Sequence, residues 1–79
     1  MTKTNITNQI RTLRFFADEM SQAALAEKIG VTRQTVMAIE AAKYSPSLEL
    51  AFKIAAVFGK ELGEVFEYPQ GKQSAKRDA

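Results

Sequence analysis

Between Ile6 and Glu19 the apolar residues Ile6, Ile10, Leu13 and Ala17 recur at intervals of three or four. This spacing lines one side of a helix turning about 100° per residue. Phe16 lies beside that stripe. Phe15 falls off it and is expected to be partly exposed or covered by another element or a second subunit. In "MSQAALAEKIG", Ser21 suits an N-cap, Leu25, Ala26 and Ile29 share one side, and Gly30 suits the left-handed position that ends a helix. Val31 is then a single buried residue in a turn, and Thr32 caps a further helix from Arg33 to about Ala41.

"KYSPSLELAFKIAAVFG" opens as a loop and then places Leu48, Ala51, Phe52, Ile54, Ala55 and Phe58 at helical spacing. Pro46 and Ser47 set its start and Gly59 its end. Leu62, Val65 and Phe66 predict one or two last helical turns. No extended-strand alternation and no internal repeat is visible. The expectation is an all-α fold of about five short helices. Its domain covers residues 6–68, with a flexible N-terminus over 1–5 and a flexible polar tail over 69–79.

The helices around Gln22 and Arg33 are separated by a turn of about three residues, too short for antiparallel packing, so they must cross steeply. Ala26 stands where the two backbones approach, Gly30 permits the turn, and Leu25, Ile29, Val31, Val36 and Ile39 point into a shared core. This is helix-turn-helix spacing, with the motif over residues 22–41. A helical hairpin that packs for stability alone would satisfy the same apolar positions. It leaves the outward face of the second helix unexplained.

On that face Arg33, Gln34, Met37, Ala38 and Ala41 form one contiguous sector, while Thr35, Val36 and Ile39 fall on the other side. The sector is long-armed at its N-terminal end and small further along, a shape suited to a groove. Arg can donate two hydrogen bonds to guanine, Gln can donate to and accept from adenine, and Thr can bond a phosphate or touch a thymine methyl. Arg33, Gln34, Thr32 and Thr35 stand together where a docked recognition helix meets base edges.

Composition narrows the function. A chain of 79 residues with 46% hydrophobic and 25% charged residues has the balance of one small globular domain. It contains neither Cys nor His, so thiolate chemistry, the usual neutral-pH acid or base, and metal sites other than all-carboxylate ones are excluded. No metal and no cofactor is expected. Ser21, Tyr44 and the pair Asp18 and Glu19 have no evident activating base, so an enzyme is not expected. No apolar run reaches the roughly 18 residues of a membrane span, and a cytoplasmic location without membrane contact is expected.

The net charge of +2 resides in the tail, where Lys72, Lys76 and Arg77 face Asp78 alone; residues 1–68 carry eight basic and eight acidic groups. Within that neutral part the charges are segregated. Lys28, Arg33 and Lys43 face only Glu40 up to Ser47, whereas Glu49, Glu61, Glu64 and Glu67 face Lys53 and Lys60 beyond it. Such a division fits ordinary solvated faces as well as a local footprint for a polyanion.

The stretch "SQAALAEKIGVTRQTVMAIEAAKYSPSLELAFKIAAVF" resembles the Cro/C1-type (XRE) helix-turn-helix regulators with a lambda-repressor-like fold, especially compact members with "TRQT" and "KYxPSLxLAxxIA". The likeness covers about Ile10 to Tyr68. It implies that Gln22 contacts a phosphate, that Thr32, Arg33, Gln34 and Thr35 address bases and nearby phosphates, and that Lys43 and Tyr44 clamp the DNA backbone. Each residue also has a plainer use: Gln22 and Thr32 suit helix ends, Lys43 complements a helix C-terminus, and the Tyr44 ring can pack on the core. Arg14 and Glu40 are implied to form a structural ion pair.

Two departures from the family pattern are visible. Ala42 stands where relatives carry Gly or Asn, so the exit of the recognition helix is expected to differ. "RFFADEMSQ" holds one residue more than the commonest spacing.

The resemblance implies a transcription regulator, more often a repressor, that binds double-stranded DNA as a homodimer on an inverted repeat. Phe58, Leu62, Val65, Phe66 and Tyr68 form a dense apolar set near the C-terminus. They are expected to divide between closing the core and a symmetric interface. The alternative is an antitoxin or other interaction module whose apolar C-terminus binds a partner protein.

Overall fold

The computed structural model describes residues 4–69, so that apart from Thr4, Asn5 and Pro69 the expected N-terminal arm and polar tail lie outside the described residues. In chain order the elements are β1 (Thr7–Asn8), α1 (Ile10–Phe16), α2 (Gln22–Ile29), α3 (Arg33–Glu40), α4 (Leu48–Phe58), α5 (Leu62–Val65) and β2 (Phe66–Glu67). The five expected helices are present. The two strands were not foreseen. They pair antiparallel with Thr7 opposite Glu67 and Asn8 opposite Phe66, and elements two residues long carry too little alternation to read from sequence.

Helix starts follow local chemistry. Ser21, Thr32 and Ser47 each accept a hydrogen bond from the backbone N–H three residues on, at 2.9, 3.1 and 3.1 Å. These bonds satisfy donors that the first turn leaves without helical partners. At α5 the Glu64 carboxylate reaches back to accept from the Glu61 backbone N–H at 2.8 Å, in the manner of a capping box.

The ends of α2, α3 and α4 share one device. Val31, Lys43 and Lys60 donate their backbone N–H back to Ala26, Ala38 and Ala55 at 3.0, 2.9 and 3.0 Å, around left-handed residues Gly30, Ala42 and Gly59. Ala42 therefore keeps the left-handed exit that glycine would make easily, at φ 60°, and the exit of α3 does not differ as expected. Strain is accepted in its place.

The first helix is shorter than its apolar stripe. Asn8 accepts from Ile10 N at 3.1 Å and donates to the Ile39 carbonyl at 2.9 Å, while Gln9 N donates to Val65 O at 2.8 Å. These bonds hold residues 7–9 out of the helix, leaving Ile6 ahead of it. At the other end the additional loop residue is absorbed by two successive left-handed residues, Asp18 at φ 61° and Glu19 at φ 55°. The Met20 N–H reaches back to the Arg14 carbonyl at 2.9 Å.

The core gathers Ile10, Leu25, Ala26, Ile29, Val36, Ile39, Ile54, Ala55 and Val65, with Ala51 also buried. No polar side chain is buried among the described residues. Leu48, Phe52 and Phe16 correct the expected stripes, being 65%, 54% and 76% exposed. Phe16 ends α1 largely uncovered by the described residues, and its ring meets that of the also exposed Phe15 edge-on, centroids 5.3 Å apart. On α4 the inward side runs through Ala51, Ile54 and Ala55, and Leu48 and Phe52 sit at its margin. The short α5 does not reach over them.

Candidate nucleic-acid interface

Helix α3 is held by its buried side, Val36 and Ile39, and by its last residue. The guanidinium of Arg14 donates from Nε to Glu40 Oε2 at 2.7 Å and from Nη2 to Glu40 Oε1 at 3.1 Å. Its Nη1 donates to the Met20 carbonyl at 2.8 Å. Gln22 Nε2 donates to Glu40 Oε1 at 3.1 Å. One carboxylate thus binds α1, the start of α2 and the end of α3 together. The implied Arg14–Glu40 pair is present, with side chains only 16% and 10% exposed, and Gln22 belongs to the same cluster.

With one side of α3 anchored, the other is bare. Arg33 and Gln34 are exposed in its first turn, and Met37 is 41% exposed one turn further on. Two hollows flank this crest. One, of about 470 Å³, lies between α1, the start of α2 and α3, and is lined by Arg11, Arg14, Ser21, Gln22, Ala23, Arg33 and Glu40. The other, of about 440 Å³, is lined by Thr32, Gln34, Thr35, Ala38, Lys43 and Tyr44.

Every residue picked as a DNA contact therefore lines one hollow or, for Met37, stands on the crest between them. Thr32 has a second task as the cap of α3, and its hydroxyl lies 3.1 Å from that of Thr35. Tyr44 is half exposed, so its ring is not consumed by the core. Arg11 was not singled out in the sequence. Its one signal there is its place three residues ahead of Arg14, on the same side of the helix.

The apolar residues near the C-terminus separate into two groups. Val65 is 1% exposed and belongs to the core, which removes it from any surface between copies. Phe58 and Phe66 pack partly against that core. Leu62, together with the uncovered part of Phe66, borders an apolar depression with Ile6, Pro46, Leu48 and Ala51. It continues past Gly63 to Tyr68. Ile6, Pro46 and Leu48 thus join a surface that the sequence had assigned to the C-terminal residues alone.

A steeply joined helix pair, a second helix capped at its start and bare on its outer face, and supporting helices before and after it define a helix-turn-helix protein. The helix-turn-helix family model matches residues 10–65, and the chain belongs to that Cro/C1-type family. It is 55% identical over 49 residues to an uncharacterized HTH-type transcriptional regulator of Methanocaldococcus jannaschii, covering 62% of this chain and 74% of that one. It is 41% identical over 58 residues to one of Archaeoglobus fulgidus, covering 73% and 82%. It is 54% identical over 46 residues to the uncharacterized HTH-type transcriptional regulator YgzD of Bacillus subtilis, covering 58% and 70%. The fold is similar to the crystal structure of a Bacteroides fragilis protein, with a TM-score of 0.68 at 21% identity over 78% of this chain and 98% of that one.

Proposed function

We propose that the protein is a sequence-specific double-stranded DNA-binding transcription regulator that acts as a homodimer on an inverted repeat and represses. The observation that carries this reading is the bare crest of α3, with Arg33 and Gln34 at its capped end and a hollow on either side. A B-DNA major groove about 12 Å wide admits one helix and has a phosphate backbone along each edge. Arg33 and Gln34 meet base edges, Thr32 and Thr35 contact bases or nearby phosphates, Met37 and Ala38 give apolar contact, and Gln22, Lys43 and Tyr44 hold the backbone. The family membership and the regulators named above support the same reading.

One domain of this size offers few base contacts, and a two-fold dimer doubles them over half-sites about 34 Å apart. The apolar depression around Leu62, Phe66 and Leu48 is the surface for pairing. Bound to an operator that overlaps a promoter, such a dimer excludes polymerase and lowers transcription.

Selection of bound duplexes from a random pool, read for half-site and spacing, tests the proposal. The expected product is an inverted repeat whose half-sites lie one helical turn apart. Arg33→Ala or Gln34→Ala then costs about 1–3 kcal/mol at the selected site and relaxes base choice. Unchanged affinity and preference in Arg33→Ala would reject the recognition-helix assignment. Sedimentation that stays monomeric at high concentration and on DNA would reject the dimer.

A further inference from the structure

We propose that Arg11 is a phosphate contact, gripping the DNA strand on the side of α3 opposite Lys43 and Tyr44. This inference rests on the DNA-binding reading and adds to it a residue that neither the motif nor the ion pair accounts for.

The hollow that Arg11 borders holds three guanidinium groups, Arg11, Arg14 and Arg33, against the single carboxylate of Glu40. That carboxylate is already engaged. Its two oxygens accept from Arg14 Nε, Arg14 Nη2 and Gln22 Nε2, so it is directed inward and satisfied there. Arg14 spends its remaining contact on the Met20 carbonyl. Arg11 and Arg33 are both exposed, and neither forms an ion pair among the described residues.

The hollow's surplus charge therefore sits on two side chains with open donors. A monoanionic phosphodiester oxygen suits a guanidinium, which offers a planar fork of donors and keeps its charge at any relevant pH. Placement makes the anion a DNA phosphate in preference to a peptide carboxylate. Arg33 stands on the crest of α3 and also lines this hollow, as Gln34 does the other. With the crest in a major groove, the two hollows fall on the two groove edges. Lys43 supplies the cation in the second hollow; Arg11 supplies it in the first.

Fluorescence anisotropy on the selected duplex across about 50–200 mM salt tests the assignment, comparing the wild type with Arg11→Ala, Arg11→Lys and Arg33→Ala. Each phosphate contact contributes about −0.9 to the slope of log K against log salt. The slope of Arg11→Ala should flatten by about that amount, which makes the affinity lost over this salt range about three- to fourfold smaller. The loss should be equal on the selected site and on sites altered at single bases, and Arg11→Lys should keep most of the wild-type slope. Circular dichroism and the thermal midpoint should not change, because the Arg11 side chain forms no hydrogen bond or ion pair among the described residues. Arg33→Ala should alter base preference instead.

A wild-type slope in Arg11→Ala would overturn the inference while leaving the DNA-binding reading intact. So would a change of base preference in that variant. Failure of the wild type to bind any duplex would overturn both.

Discussion

Glu40, the last residue of the recognition helix, takes two hydrogen bonds from the Arg14 guanidinium of the first helix, at 2.7 and 3.1 Å. The pair fixes the far end of α3 relative to α1, while the cap at Thr32 fixes its near end. Orientation of the bare face is therefore set from both ends, by an ion pair at one and a helix cap at the other.

Removing one partner leaves the other charge poorly solvated, and in the case of Arg14 also releases the Met20 carbonyl. Arg14→Ala and Glu40→Ala should each lower unfolding free energy by about 2–4 kcal/mol. A double replacement by Met should cost less than the two single losses together. Urea unfolding followed by circular dichroism measures all three.

Ala42 and Glu19 adopt left-handed backbone at φ 60° and 55°, where an L side chain costs about 1–2 kcal/mol. Glycine removes that cost but has more entropy to lose on folding. Ala42→Gly and Glu19→Gly should each stabilise the domain by about 0.5–1 kcal/mol, read as a higher urea midpoint with an unchanged slope.

Ser47 and Thr32 cap helices through the same bond but stand in different places. Ser47→Ala should cost about 1 kcal/mol of stability and leave DNA affinity unchanged once the protein is folded. Thr32→Ala should cost a similar amount of stability and weaken DNA binding too. Thermal melting and anisotropy together separate the two effects.

Val65 is buried whereas Leu48 is largely exposed on the rim of the proposed pairing surface, so substitutions at the two should divide cleanly. Val65→Ala should destabilise the domain by about 1–3 kcal/mol, since it opens a cavity in the core. Leu48→Lys, on the rim of the proposed pairing surface, should leave the chain folded and shift sedimentation toward monomer, whereas Phe52→Lys, outside that depression, should change neither fold nor sedimentation.

Positions decided by their near neighbours in the chain were legible from sequence. Ser21, Thr32 and Ser47 as caps and Gly30 and Gly59 as stops depend on bonds between groups three to five positions apart, and the structure places each as expected. The limits of α1 were not legible, because Asn8 is drawn away by the Ile39 carbonyl, a partner 31 positions distant. Leu48 and Phe52 carry the right period for the core, yet what covers the margin of a helix depends on the reach of its neighbours. Arg11 gave almost no signal: whether a charge lies beside a recognition helix or in open solvent is a property of packing.

The segment ahead of α1 binds distant parts of the chain. Thr4 N reaches Ala42 O at 3.1 Å, Asn8 reaches Ile39, Gln9 N reaches Val65 O, and Thr7 Oγ1 lies 3.3 Å from Glu67 O across 60 positions. Helices α2 and α3 instead meet across a turn of a few residues. Closing the longer loops costs more chain entropy before any contact repays it. Assembly should therefore run from the middle outward, the helix pair forming early and the ends of the domain clasping last. The order reverses on unfolding, so the amides of Thr4 and Gln9 should exchange with solvent before those of Ile29 and Ile39. A chain that has let go of its ends still holds its recognition helix.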